Sequence, residues 1–466
     1  MPDTETLQLD AAATRAAAIT QGNLRRTMFA LAVPVLAEQL LNSCVGMFDV
    51  FLAGRISTIA TNAIGISAYT SWFATLLFSL VAVGTTALVA RHVGARDFAG
   101  ADRVCNQSIS LAVAAGVVVS CLLFFLAPHF AAWQNMTGEA GRIATDYLRY
   151  DTLGYTAMSV TLATGAALRG AGDMRAPMFV YAVINVLNMI ASPTLVFGWG
   201  PCPQLGVNGI VAGTVIARTA GGVICIAWLW RGRAGLRLHF PGMRFERDTV
   251  RRLLRIGLPA AVDGVLLWGG QFLFLKVIAH LKPGAVGEAM YASHIIAVRV
   301  ESLSYLPALA WATATATMVG QALGARDPVR ARRAGHEGVM QAAVLIACVA
   351  VFFYFGAELI FRIMHKDPLV HEVGAKPFRL WAFFQPCLAF SIVYIGALRG
   401  AGNTRLPMLI TAVGMIVFRL PLGYLFGIRL GGGLVGAWVG MFADMTWRAV
   451  AATALYLSGR WTKTRV

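Results

Sequence analysis

Long apolar stretches separated by short basic loops run the length of the chain. Leu111 to Pro128 reads LAVAAGVVVSCLLFFLAP and Gln341 to Ala357 reads QAAVLIACVAVFFYFGA, neither with a charge. Each is close to the roughly 20 apolar residues that carry a helix across about 30 Å of hydrocarbon. Twelve such segments are predicted as helices. In the first half they cover approximately residues 28–53, 63–91, 103–128, 143–168, 177–198 and 206–230. In the second half they cover approximately 253–280, 287–322, 338–361, 375–398, 406–427 and 433–457. No stretch is left over for a globular domain. The expected fold class is an all-α integral membrane protein.

The second six segments repeat the first. Ala-Leu-Arg-Gly-Ala-Gly-Asp-Met-Arg-Ala-Pro-Met, from Ala167 to Met178, returns 230 residues later as Ala-Leu-Arg-Gly-Ala-Gly-Asn-Thr-Arg-Leu-Pro-Met, from Ala397 to Met408. Val93-Gly94-Ala95-Arg96-Asp97 returns at the same shift as Leu323-Gly324-Ala325-Arg326-Asp327. Gly206, Gly209 and Gly213 recur as Gly433, Gly436 and Gly440, and Pro34 is answered by Pro259. Half the chain is too long a period for a solenoid, whose units run roughly 20–50 residues. The pattern predicts two pseudo-symmetric six-helix lobes, at 25–230 and 251–458, joined by a polar linker at 231–250, with tails at 1–24 and 459–466. Six is even, so both lobes enter the membrane in the same sense. Parallel repeats of this kind place a substrate cavity at the lobe interface by default.

Composition agrees with the lipid reading: 58% of residues are hydrophobic and only 13% charged, against about 25% charged in soluble domains. Arg25, Arg26, Arg91, Arg96, Arg103, Arg169, Arg175, the run from Arg231 to Arg255, Arg326, Arg330, Arg332, Arg333, Arg399, Arg405, Arg460 and Lys463 all fall on one side of a twelve-span plan. That bias predicts cytoplasmic termini. The net charge of +17 is thus explained by topology and anionic headgroups. It forms no basic stripe interleaved with aromatics, so nucleic acid is not an expected partner. Met1 to Gln21 lacks the apolar core of a signal peptide and is expected to be a frayed tail. The seven cysteines, Cys44, Cys105, Cys121, Cys202, Cys225, Cys348 and Cys387, show no metal spacing. No metal, cofactor or disulfide is expected.

Together the two-lobe plan, the Arg-Gly-Ala-Gly-Asp/Asn-x-Arg-x-Pro-Met loops, the Gly-Ala-Arg-Asp loops, and Pro34 followed by Asp49 in Met-Phe-Asp-Val-Phe-Leu-Ala-Gly resemble the multidrug and toxic compound extrusion (MATE) family. Arg299-Val-Glu-Ser-Leu through Gly-Ala-Arg-Asp327 is also similar to that family's eighth helix. The similarity runs from about Arg25 to Leu457. It implies a secondary antiporter in the cell inner membrane, working as a monomer. Such proteins export organic, often cationic, compounds against an inward proton or sodium gradient.

Asp49 carries the coupling chemistry in this resemblance. A carboxylate at bilayer depth costs at least about 2.5–3.5 kcal/mol, so it persists with a partner or a role. It is either a titrating group, whose neutral form burial favours, or a structural hydrogen bond near a helix end. The family pairs this acid with an Asn and, four residues on, an Asp before Pro. Here the run is Asn188-Met-Ile-Ala-Ser192-Pro193, so Ser192 stands in place of the second carboxylate. One titratable group in the first lobe favours a proton over sodium, because losing a negative charge weakens a hard-cation site. Asn185 and Tyr155 either face this pocket or bridge helices.

In the second lobe some branches carry an acid eight residues after the Pro, where Leu267 stands. Asp263, four after Pro259, is a weak substitute or an inner-mouth residue near Arg252 and Arg255. Arg299 and Glu301 point to different sides of one helix and need separate partners; Asp49 is a candidate for Arg299. Arg419 and Asp444 are candidate neighbours. Phe48, Trp72, Phe73, Trp268, Trp311, Phe384, Tyr394, Met47 and Met158 either line an apolar cavity for organic cations or pack against helices and lipid. No Walker loop or nucleophile–base pair is present, so no catalytic residue is assigned. His294, alone in a span, is expected to be hydrogen-bonded packing. Two non-enzymatic alternatives remain: a flippase for lipid-linked oligosaccharide of the same superfamily, and a channel.

Overall fold

The computed structural model describes residues 4–54, 56, 58–133 and 138–464; the outermost residues of both tails lie outside this set. Among the described residues all regular structure is helical. Helices α1 (Thr4–Gln21), α2 (Leu24–Gly54), α3 (Thr58–Gly94), α4 (Phe98–Trp133), α5 (Gly138–Thr152), α6 (Tyr155–Gly170), α7 (Arg175–Phe197) and α8 (Val207–Trp230) occupy the first half. The second half holds α9 (Arg247–Ala279), α10 (Gly284–Gly324), α11 (Pro328–Met364), α12 (Pro368–Leu388), α13 (Tyr394–Gly400), α14 (Arg405–Val413), α15 (Leu420–Tyr424) and α16 (Gly433–Leu457). The chain divides into two compact units, one of Met1–Gly22 with Val33–Gly257 and one of Asn23–Ala32 with Leu258–Val466.

Among the described residues, ten helical spans are long and apolar enough to cross a membrane. The other two of the twelve are α16, which carries Asp444 and Arg448, and the predicted segment 143–168, which is broken. It splits at Leu153–Gly154 into pieces of 15 and 16 residues. The break frees the Thr152 carbonyl, which accepts instead from Ser120 Oγ on α4 at 2.8 Å. Its counterpart stays continuous through a π-helical turn, Ala389–Val393, between α12 and α13. The outward faces remain apolar: Phe125, Phe355 and Ile363 are exposed, as helices bathed in lipid require.

The repeat extends to backbone detail. Arg96 and Arg326 both take φ near +60° in the Gly-Ala-Arg-Asp turns. The aspartate that follows caps the next helix, Asp97 Oδ1 accepting from Gly100 N at 2.9 Å and Asp327 Oδ1 from Arg330 N at 2.8 Å. The Gly100 N–H holds the Asp97 carboxyl below the usual carboxylate range. The recurring glycines of the sixth segment let it lie against the fifth. A Cβ on Gly213 would come within 2.6 Å of the Ser192 backbone nitrogen, and one on Gly440 within 2.4 Å of Gly423 N. Gly213→Ala is therefore expected to push α8 from α7 and destabilise the protein by about 1–3 kcal/mol, the usual range for overpacking. The thermal midpoint of the purified variant checks it, and an unchanged midpoint would refute the close approach.

The N-terminal segment differs from the expected frayed tail, and the polar linker is held in place. The tail is not frayed: α1 buries Ala12, Ala16 and Ile19, with Ala12 against the turn at Gly235. The linker is docked on α4 through three polar side chains. Asn106 Nδ2 donates to the Arg237 carbonyl at 2.8 Å, Gln107 Nε2 to that of Gly242 at 2.8 Å, and Ser110 Oγ to that of Met243 at 2.8 Å. A loop with its carbonyls satisfied this way costs little to order.

Candidate functional site

In the first unit Asp49 is buried on α2 between Leu52 and Ala53 of one core cluster and the polar face of α8. Its Oδ2 lies 3.2 Å from Thr214 Oγ1. Thr214 has one hydroxyl proton, and the Ile210 carbonyl competes for it at 3.1 Å. Asn188 Nδ2 donates to Thr214 Oγ1 at 3.0 Å and to Ser192 Oγ at 3.2 Å. Asp49, Asn188 and Ser192 are thus brought together, with Thr214, which the sequence reading did not name, joining them. Asp49 Oδ1 and Asn188 Oδ1 have no hydrogen-bond donor among the described residues. A buried carboxylate served by one shared hydroxyl is poorly compensated.

Tyr155 belongs to a different centre. Its hydroxyl donates at 2.9 Å to Asp151 Oδ2, which also accepts from Ser67 Oγ at 2.7 Å and Ser71 Oγ at 2.8 Å. Arg218 Nη1 donates to Asp151 Oδ1 at 2.8 Å, with its guanidinium 5.8 Å from the Tyr155 ring centroid. The expectation of a single titratable group in the first lobe is corrected by Asp151, a second carboxylate on α5. Asp151 and Arg218 lie within predicted spans 143–168 and 206–230, and an ionisable residue at bilayer depth is a functional candidate by default. That signal was present. Asn185 stays apart, its amide donating to the Tyr181 carbonyl one turn back at 2.7 Å.

A second type of pair occurs once in each unit. Arg169 Nη1 meets Glu38 Oε1 at 2.7 Å, and Arg399 Nη2 meets Asp263 Oδ2. Glu38 follows Pro34 by four residues, as Asp263 follows Pro259. Asp263 is therefore the counterpart of Glu38, not a substitute for Asp49. Arg169 and Arg399, counted by sequence among the basic residues of one membrane side, turn inward to the first helix of each lobe. The proline spacing alone would have found Glu38.

The second unit keeps the scaffold and changes the chemistry. The position fifteen after Pro259, matching Asp49, is the fully buried Phe274, with the Arg419 guanidinium 5.8 Å from its ring centroid. Arg419, at the end of a π-helical turn, Gly414–Arg419, pairs with Asp444 at 2.7 Å, as expected, and donates to Gln271 Oε1 at 2.6 Å. Arg448, on the same helix as Asp444, is a second partner of that carboxylate. Glu301 lies beside Trp381 and Gln385. At a shift of 230 these match Ser71, Asp151 and Tyr155, so the acid has moved from the fourth helix to the second. Arg299 is exposed on α10, while Asp49 finds its hydroxyl on α8. His294 accepts from Trp438 Nε1 at 3.2 Å and packs edge-on to Phe274, a packing role. Of the aromatics, Trp311 is buried and bonded to Gln341, Phe384 stacks on Phe442, and Met47 and Phe73 are exposed.

The described model of the family MatE matches residues 34–194 and 259–425, one block in each repeat. The chain belongs to the MatE family. Members of this family are secondary transporters, and the chain is one of them rather than an enzyme. A probable multidrug resistance protein NorM of Thermotoga maritima is 29% identical over 95% of this chain and 94% of its own length. The multidrug resistance protein MdtK of Pectobacterium atrosepticum is 28% identical over 91% of this chain and 93% of its own. Among solved structures, an outward-facing multidrug resistance MATE family transporter of the MOP superfamily superposes with a TM-score of 0.86. It is 21% identical and covers 95% of this chain and 97% of its own. This MatE protein therefore has the two-lobe, twelve-helix membrane fold that its repeat predicts.

Proposed function

We infer that this transporter exports organic, cationic or amphipathic compounds in exchange for protons, by alternating access, from the inner membrane with both termini in the cytoplasm. One observation carries the coupling ion. Among the described residues, buried Asp49 has the shared Thr214 hydroxyl on one oxygen, with the Asn188 amide nearby, and no donor on the other. A proton on Asp49 removes the uncompensated charge and gives the side chain a donor of its own. A sodium site would be weakened here, because one carboxylate among neutral oxygens attracts a hard cation less than two carboxylates would. Asn188, Ser192 and Thr214 offer only neutral oxygens, and the second carboxylate, Asp151, is already occupied by four donors.

Relatives named as multidrug resistance proteins support the substrate class, and they do not favour a lipid-linked oligosaccharide flippase. Protonation shifts inward- and outward-open populations only by the difference in proton affinity between them. The test imposes each gradient separately on vesicles containing the purified protein and a fluorescent organic cation. Efflux driven by a pH gradient alone is expected. Efflux driven by sodium alone, and indifferent to collapse of the pH gradient, would refute proton coupling.

A further inference from the structure

Asp49 and Asp151, two buried acids of the first lobe, have opposite surroundings. Asp151 accepts from three hydroxyls and a guanidinium, between 2.7 and 2.9 Å. Oδ2 takes the three hydroxyls and Oδ1 the guanidinium, so both oxygens of this carboxylate are compensated, one of them by a full positive charge. Asp49 has one shared hydroxyl. Both acids meet the same helix face. Thr214, which reaches Asp49, and Arg218, which reaches Asp151, are four residues apart on α8 and so lie one above the other. With Thr214 against Asp49 and Arg218 against Asp151, the ion pair lies about one helical turn from the Asp49 carboxyl.

We propose that Asp151 and Arg218 form a fixed-charge pair that positions the field in which Asp49 exchanges its proton. This rests on the reading of Asp49 as the coupling carboxyl. Arg218 favours the charged form of Asp49, and Asp151 both holds Arg218 in place and offsets most of its charge. Among the described residues, Arg218 and Asp151 are the charged neighbours of Asp49. The α3 residues Ser67, Thr70 and Ser71 are neutral, as are Asn188 and Ser192 on α7 and Ser120 on α4. Tyr147 on α5 and Tyr155 on α6 are the remaining titratable neighbours, and phenols are ordinarily neutral below about pH 9. Arg149, also on α5, lies instead over the Phe124 ring, 5.1 Å from its centroid.

The sign of each substitution follows. Without the Arg218 charge, Asp49 binds its proton more tightly, so Arg218→Gln moves the pH limb of efflux to higher pH. Without the Asp151 charge, Arg218 is unopposed, so Asp151→Asn moves the limb to lower pH. Shifts of about 0.5–1 pH unit in opposite directions are expected. Each single variant leaves a charge without its partner, which can impair folding. The double variant Asp151→Asn/Arg218→Gln leaves none and keeps the net charge beside Asp49, so its limb returns close to that of the parent. The experiment is substrate efflux from proteoliposomes across pH 5.5–9 for these three variants and Asp49→Asn. A limb that persists in Asp49→Asn removes Asp49 from the coupling step itself. A limb that vanishes in Asp49→Asn but stays put, or moves the same way, in both single variants overturns the role of the pair alone. So does a double variant inactive at every pH, which would mark a merely structural brace.

Discussion

Asp49→Asn is expected to abolish gradient-driven efflux while the protein reaches the membrane at its normal level. Asparagine keeps the side-chain shape, and its oxygen still accepts from Thr214, 3.2 Å from the present carboxylate. What is lost is the exchangeable charge. Taking that charge out of the lobe interior relieves a desolvation cost, so the variant should be no less stable than the parent. Dye efflux under an imposed pH gradient should fall to the protein-free background, while the thermal midpoint stays equal or rises. Full gradient-dependent efflux at normal expression would exclude Asp49 from the mechanism. A collapse of both expression and efflux would instead make it a structural hydrogen bond, the other reading its position allows.

Breaking either ion pair behind the prolines should cost more stability than Asp49→Asn or Gly213→Ala. Glu38 and Arg169 are both about nine-tenths buried, with side-chain exposures of 7% and 11%. Removing one partner of a buried pair typically costs about 3–5 kcal/mol, because the other charge loses its compensation. Removing both costs far less. Glu38→Gln should therefore lower the thermal midpoint of the purified protein sharply, and Glu38→Gln/Arg169→Gln should recover most of the loss. The same is expected of Asp263→Asn and Asp263→Asn/Arg399→Gln in the second lobe. Double variants as unstable as the single ones would show that these side chains act separately. Each pair ties the helix just beyond Pro34 or Pro259 to the end of its lobe's fourth helix. Proline removes a backbone hydrogen bond there, so each pair braces its helix beside the point where the ladder is interrupted.

The sequence by itself determined the helices, the two lobes and their turns. Lipid leaves no other spanning structure for charge-free segments such as Leu111 to Pro128. A duplication visible at Leu168 and Leu398 must rebuild the same six-helix scaffold, down to the left-handed Arg96 and Arg326. Asp49, Asn188 and Ser192 were legible as a cluster because they lie at family spacings, and Arg419 with Asp444 because both are ionisable residues at bilayer depth. The fourth helix of the first lobe was less legible. Its break at Leu153–Gly154 depends on Ser120 of α4 taking up the Thr152 carbonyl, a partner from a distant part of the chain. Tertiary structure alone decided who meets whom: Thr214 with Asp49, Arg218 with Asp151, Arg169 with Glu38. Periodicity tells which residues share a helix face, but not which face of another helix lies opposite. A buried charge takes its meaning from that opposite face. Four donors meet Asp151 and one shared hydroxyl meets Asp49 among the described residues, and both are a single Asp in an apolar span when read along the chain.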